Sequence, residues 1–109
     1  MAQFDVHRNK GHLQASIPFV VLVQSSLFDR YKRRVVVPLV LRQGLRGQSS
    51  AAGTRMNPMF QIGGLDVVLN PLEIVSLSLD QLGLHVGSLA DQGQAIADAL
   101  DELFSRSWG

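Results

Sequence analysis

No cysteine occurs among the 109 residues, which removes any disulfide framework and the commoner structural zinc sites and suits the reducing cytoplasm. Charge of neither sign dominates: ten Lys and Arg against nine Asp and Glu leave a formal net charge of +1. So weak a field gives the isolated chain no compositional support for direct nucleic-acid binding. No apolar run approaches the roughly 18 residues of a membrane span. The opening Met1-Ala2-Gln3-Phe4-Asp5 has neither the charged prefix nor the apolar stretch of a secretion signal. A soluble, cytoplasmic protein that does not touch membranes is expected. No metal site is visible, the three histidines sit in no spacing that implies a pair, and no cofactor is expected.

Aromatic residues make up only 6% of the chain, and the single tryptophan, Trp108, is the second-last residue. A large aromatic there is poorly placed to serve a core, because chain ends fray unless something ties them down. Tryptophan is among the residues most enriched at binding hot spots, which favours an interaction protein over an enzyme. What the chain does have is apolar residues, 46% of its length. That suffices for one domain, residues 1–109, with a single modest core.

The apolar spacing changes from strand-like to helix-like along the chain. Gln3 to Arg8 alternates, with Phe4 and Val6 on one side and Asp5 and His7 on the other, as a half-buried strand does. Asn9 to Ser16 is a polar loop. Ile17 to Val23 is a continuous β-branched run, the mark of a strand buried on both faces. Ser25 to Arg34 is a polar turn that still carries Leu27, Phe28 and Tyr31, and its basic cluster of Arg30, Lys32, Arg33 and Arg34 reads as a solvated turn. Val35 to Val40 forms the next strand, where Pro38, which has no ladder donor, marks an edge or a bulge. Gln43 to Arg55, rich in Gly, Ser and Gln, reads as a mobile surface loop. Met59–Ile62 and Leu65–Leu69 flank Gly63-Gly64, a two-residue connection that closes a hairpin. Ile74 to Leu79 alternates again, and Leu84-His85-Val86 adds a short strand.

Ser88-Leu89-Ala90-Asp91 has the spacing of a capping box, which starts a helix near Leu89. Ile96, Ala99, Leu100, Leu103 and Phe104 then recur at three and four residues on one apolar stripe. Gln94, Asp98, Asp101, Ser105 and Trp108 share a polar face, which Trp108 continues outward. Five to seven short strands followed by one long helix predict a mainly β, α+β architecture: a small antiparallel barrel with the helix laid across it.

The residues resemble those of the CcdB toxins of bacterial toxin-antitoxin modules. Gln3-Phe4-x-Val6 is similar to the family's opening strand. Phe19-Val20-x-x-Val23-Gln24-Ser25, Asp29, Arg33-Arg34 and Val37-Pro38-Leu39 are similar to its central signature. Ile62-Gly63, Ser76, Gly83, Val86 and Leu89 keep its spacing, and Leu89 to Phe104 aligns without a gap. The resemblance implies an SH3-like barrel with a C-terminal helix, and a two-fold homodimer formed through the helix end, with Leu103 at the dimer contact. It implies a toxin that binds the A subunit of DNA gyrase, poisons the enzyme by trapping the cleaved DNA complex and catalyses nothing itself. Gyrase-binding positions carried over are Trp108, Gly109, Phe104, Asp101, Leu27 and Phe28, with Asp101 replacing a family asparagine. A CcdA-like antitoxin, partly disordered and folding on binding, is the implied partner, and operator DNA is reached only through the antitoxin complex. A tryptophan face set against a target arginine is worth about 0.5 to 2 kcal/mol.

The chain end departs from the family pattern. Ser105-Arg106-Ser107 separate Phe104 from Trp108-Gly109, and the family's final isoleucine is missing. If the helix persists, three extra residues turn Trp108 by about 60° and carry it about 4.5 Å farther along the axis. Two alternatives stay open: an endoribonuclease of the MazF or Kid kind, with His7, His12 and His85 as candidate acid-base groups, and a CcdB-like protein that has lost gyrase poisoning.

Overall fold

The apolar runs become the middle of a single antiparallel sheet. The computed structural model describes residues 1–44 and 52–105. Among these, seven strands pair: β1 Asp5–Asn9, β2 Phe19–Leu22, β3 Arg33–Leu41, β4 Met59–Ile62, β5 Leu65–Leu69, β6 Val75–Ser78 and β7 Leu82–Ser88. Their order is β4-β5-β3-β2-β1-β7, and β6 also pairs with β3. The sheet curls into a half-barrel and the helix α1, Gly93–Leu103, packs on it, an SH3-like α+β fold.

β2 lacks alternation because both of its faces are covered. Phe19 and Val21 enter the helix-side core with Val37, Leu39, Leu69, Ile96 and Ala99. Val20 and Leu22 turn to a second cluster with Val36 and Leu82. The strand is shorter than the Ile17–Val23 run, since the Ile17 amide is drawn back to Leu13 O at 2.6 Å in the preceding loop.

β1 begins later than alternation predicts. Phe4 adopts φ 72°, a left-handed conformation that is rare for a bulky side chain and must be held by its surroundings. Its amide donates to Leu22 O at 2.6 Å and its carbonyl accepts from Leu89 N at 2.9 Å. The ring lies so close to Gly93 that a Cβ there would sit 2.6 Å from Phe4 Cε2. His7, which alternation places on a polar side, is buried instead, with 5% exposure. The curl of the sheet covers this face of β1 as well, and His7 Nδ1 lies 3.0 Å from Gly83 O.

Pro38 marks neither an edge nor a bulge. It sits in the central strand, opposite Val20 of β2. On its other side β3 changes partner, pairing β6 through Arg33–Val36 and β5 through Leu39–Leu41. Pro38 O points into that gap, accepting from Asn70 N at 3.0 Å. Its nitrogen faces the same way, so the missing donor breaks no ladder bond.

Gly63 and Gly64, at φ 57° and 80°, close the β4–β5 hairpin with positive φ at both central positions, the condition for a type I′ turn. Residues 45–51 of the expected mobile loop lie outside the described residues. The loop's far end is anchored, since Gly53 N donates to Asn57 O at 2.8 Å and Asn57 Nδ2 in turn donates to Leu69 O at 3.1 Å. At the β6–β7 turn, hydrogen bonds from the Ser78 hydroxyl and then from the Asp80 backbone hold the Asp80 carboxyl below its usual 3.8. A carboxyl depressed in this way stabilises the fold above its unfolded value, and the contribution fades as pH falls through the folded one.

The helix starts later than the capping-box spacing predicts. Ser88 Oγ accepts from Ala90 N at 3.1 Å, two residues on rather than three. A 3₁₀ turn, Ala90–Gln92, follows, and α-helical geometry begins only at Gly93. Among the described residues no helix is long and apolar enough to cross a membrane.

β7 is longer than the expected Leu84–Val86, and its pairing with β1 shifts register on either side of His7. The two backbones come so close that a Cβ on Gly83 would lie 2.5 Å from Arg8 O. Backbone cannot yield there without loosening the ladder, so Gly83→Ala should destabilise the fold by about 2 to 3 kcal/mol, at the upper end of overpacking costs. Chemical denaturation compared with Gly87→Ala, a position where nothing lies within 4 Å of an added methyl, measures the difference. Equal stability of the two variants would refute the close-approach argument.

Candidate functional site

The connection between β2 and β3 builds an outward-facing turn. Ser25 Oγ accepts from Leu27 N at 3.2 Å, starting a 3₁₀ turn over Ser26–Phe28. Phe28, Asp29 and Tyr31 amides then close successive turns onto Ser25, Ser26 and Phe28 carbonyls, each at 3.1 Å. This local bonding explains how a polar stretch carries apolar side chains to the surface. Leu27 is 83% exposed, Phe28 50% and Tyr31 54%. The Phe28 and Tyr31 rings stand 6.4 Å apart, and the Arg30 guanidinium lies 5.3 Å from the Tyr31 centroid. Beside them a concavity of about 600 Å³ is lined by Gln24, Phe28, Tyr31, Lys32, Arg33 and Val35.

Of the basic cluster, Arg30, Lys32 and Arg33 are exposed as expected. Arg34 is not a solvated residue: it is 4% exposed. Its guanidinium donates to Tyr31 O, Arg33 O and Asp29 O, and backbone acceptors of this kind let a charge stay buried. Its Nε lies 3.6 Å from Asp29 Oδ1. Arg33 ties the foot of the turn to β6 through Ser76 Oγ at 2.9 Å and Ser76 O at 2.7 Å.

The other sequence-derived positions lie at the end of α1. Ile96 and Ala99 are fully buried and Leu100 packs against the same core. Leu103 is half-buried, Asp101 is exposed and Phe104 is 69% exposed. The stripe thus leaves the core at its C-terminal end and presents Phe104 to solvent. On the polar face Gln94 Nε2 donates to Asp98 Oδ1 at 2.9 Å. Arg55 pairs with Glu102 at 2.7 Å, a surface ion pair worth at most about 1 kcal/mol. Trp108 and Gly109 lie outside the described residues. Leu27 and Phe28 are therefore brought together on one turn, and Asp101 and Phe104 on a separate element.

The histidines show a pairing that sequence spacing hides. His7 and His85 are cross-strand partners on β1 and β7, with rings 5.3 Å apart in a T-shaped arrangement. His85 Nε2 is 3.5 Å from Asp5 Oδ2. His7 spends Nδ1 on the Gly83 carbonyl and is buried, so it is in no position to touch a substrate phosphate. His12 is exposed on the β1–β2 loop. Acid-base catalysis on RNA needs two groups that both reach the reacting atoms, and this pair offers one. Among the described residues no three His, Asp or Glu side chains converge as a metal site.

Tyr31, Gln24 and Arg34 are the members of the site that sequence reasoning missed as functional. Phe28 and Tyr31, three residues apart inside an otherwise polar turn, are the signal that points to them.

Residues 3–105 match the family described as CcdB protein. The chain belongs to the CcdB family. Membership places it among the toxins of toxin-antitoxin modules, a group that acts by binding rather than by catalysis. No curated protein matches the chain in sequence. Among solved structures it is similar to an endoribonuclease in complex with its cognate antitoxin from a mycobacterial species. That likeness has a TM-score of 0.74, covers 100% of this chain and 99% of the other, and comes with 18% identity. At that identity the CcdB-family chain and the endoribonuclease share a fold.

Proposed function

We propose that this CcdB-family chain is the toxin of a type II toxin-antitoxin pair that binds the A subunit of DNA gyrase and traps the enzyme on cleaved DNA. The observation that carries the reading is the pair Leu27 and Phe28, exposed on a hydrogen-bonded turn at the positions where family resemblance puts target contacts. Large exposed side chains on a fixed backbone are the raw material of a binding hot spot, because little ordering remains to be done on association. Phe104 and Asp101 at the helix end, with Trp108 and Gly109 beyond it, supply the second set of contacts.

The chain is one toxin domain that works as a two-fold homodimer through Leu103, so that two identical anchor sets meet a two-fold target. No step of chemistry belongs to it; its free energy of binding favours the cleaved state of gyrase over the resealed one. A CcdA-like antitoxin competes for the toxin, and only that complex reaches operator DNA, which accords with a net charge of +1. Gyrase and the antitoxin place the action in the cytoplasm.

Titration calorimetry of the chain into the gyrase A dimerisation fragment should give saturable binding of one dimer per fragment dimer. No heat and no complex would remove gyrase as target. A structured RNA incubated with the same preparation should stay intact, and its cleavage would install the endoribonuclease reading instead.

A further inference from the structure

The turn that exposes Leu27 and Phe28 has no hydrophobic core of its own, yet its backbone is tied down by two side chains. Gln24 donates to Phe28 O at 3.2 Å and to Arg33 O at 3.4 Å, and accepts from Val35 N at 3.0 Å. Arg34 reaches the opposite part of the turn, donating to Asp29 O and Arg33 O, each at 2.9 Å, and to Tyr31 O. One planar guanidinium thus takes two carbonyls of the turn, those of Asp29 and Tyr31, and that of Arg33 where the turn enters β3. Its charge is set against the Asp29 carboxylate, 3.6 Å from Nε.

Burying an arginine is costly unless its donors are taken, and simple packing at this edge would be met by an aliphatic residue. The sequence places the charge here, where its acceptors are backbone atoms of the turn.

We propose that Arg34 is a positioning residue: it holds the Ser25–Lys32 turn in one shape, so that Leu27, Phe28 and Tyr31 are already presented before a partner arrives. It makes no contact with the partner itself, being 4% exposed. The inference rests on the reading of this turn as the target-contacting surface, but its first readout is independent of any target. Lysine is a poor substitute, since a single ammonium does not reproduce a rigid fork aimed at separate carbonyls.

The test uses the full chain in three variants, Arg34→Met, Arg34→Lys and Phe28→Ala, with ¹⁵N relaxation of the free proteins and titration against the gyrase A fragment. In the wild type, backbone order over residues 26–32 should match that of β2 and β3. In Arg34→Met, order parameters there should fall below about 0.6, while the amides of β5 and α1 stay unchanged. Affinity should weaken about 10- to 100-fold as the lost order has to be restored on binding. Arg34→Lys should fall between, and it replaces the methionine variant if that one fails to fold. Phe28→Ala should weaken binding with the turn still ordered, separating contact from positioning. An ordered turn in both Arg34 variants, or a disordered one that binds within twofold of wild type, overturns the proposal. Failure of the wild type to bind gyrase A would strike the functional reading alone, because the relaxation result still decides whether Arg34 fixes the turn.

Discussion

Ile96→Ala should destabilise the protein by about 3 to 4 kcal/mol, a large share of the 5 to 15 kcal/mol typical of a domain. Ile96 is the largest fully buried side chain of α1 and shares one core cluster with sheet residues such as Val21, Val37 and Leu69. Truncation removes apolar contact and leaves a cavity, and a site walled by paired strands on one side and a helix on the other has little freedom to collapse. The same change at Leu100, only half-buried, should cost roughly half as much. Urea denaturation of both variants checks the ratio. A loss under about 1.5 kcal/mol at Ile96 would mean that α1 is not held by the sheet, and that the end carrying Asp101 and Phe104 is not fixed relative to it.

Leu27→Ala together with Phe28→Ala should do the reverse, leaving stability within about 1 kcal/mol of wild type and weakening binding to gyrase A by about 100-fold or more. Leu27, at 83% exposure, and Phe28, at 50%, contribute little to the folded monomer. A pair of hot-spot side chains is commonly worth about 2 kcal/mol or more each, and every 1.4 kcal/mol is tenfold in affinity. Denaturation and calorimetry on the same preparation separate the two effects. If affinity holds within threefold, the turn is not part of the contact surface.

The sequence discloses some of these features and hides others. β2 and the β4–β5 hairpin are legible because their signals are local: a β-branched run, and two glycines between strands. The helix-side core is legible for the same reason, Ile96 and Ala99 recurring at helical spacing. Arg34 escapes such a reading because its burial depends on where the carbonyls of Asp29, Tyr31 and Arg33 point, which no periodicity encodes. Pro38 escapes it because a missing donor is harmless only where a strand changes partners, a property of topology. His7 and His85 meet through the β1–β7 pairing, which joins the two ends of the sheet sequence. At the candidate site, Leu27 and Phe28 come from resemblance rather than pattern, and the residues that brace them emerge only in three dimensions.

On the proposed function, this CcdB-family chain poisons gyrase through its exposed anchors despite the Ser105-Arg106-Ser107 spacer. Incubating purified gyrase and supercoiled DNA with the intact chain, and in parallel with a version ending at Ser107, tests it most directly. Linear, protein-linked DNA should accumulate with the intact chain and disappear once Trp108-Gly109 are removed. Supercoiling that proceeds normally, with no cleaved DNA from either version, would contradict it.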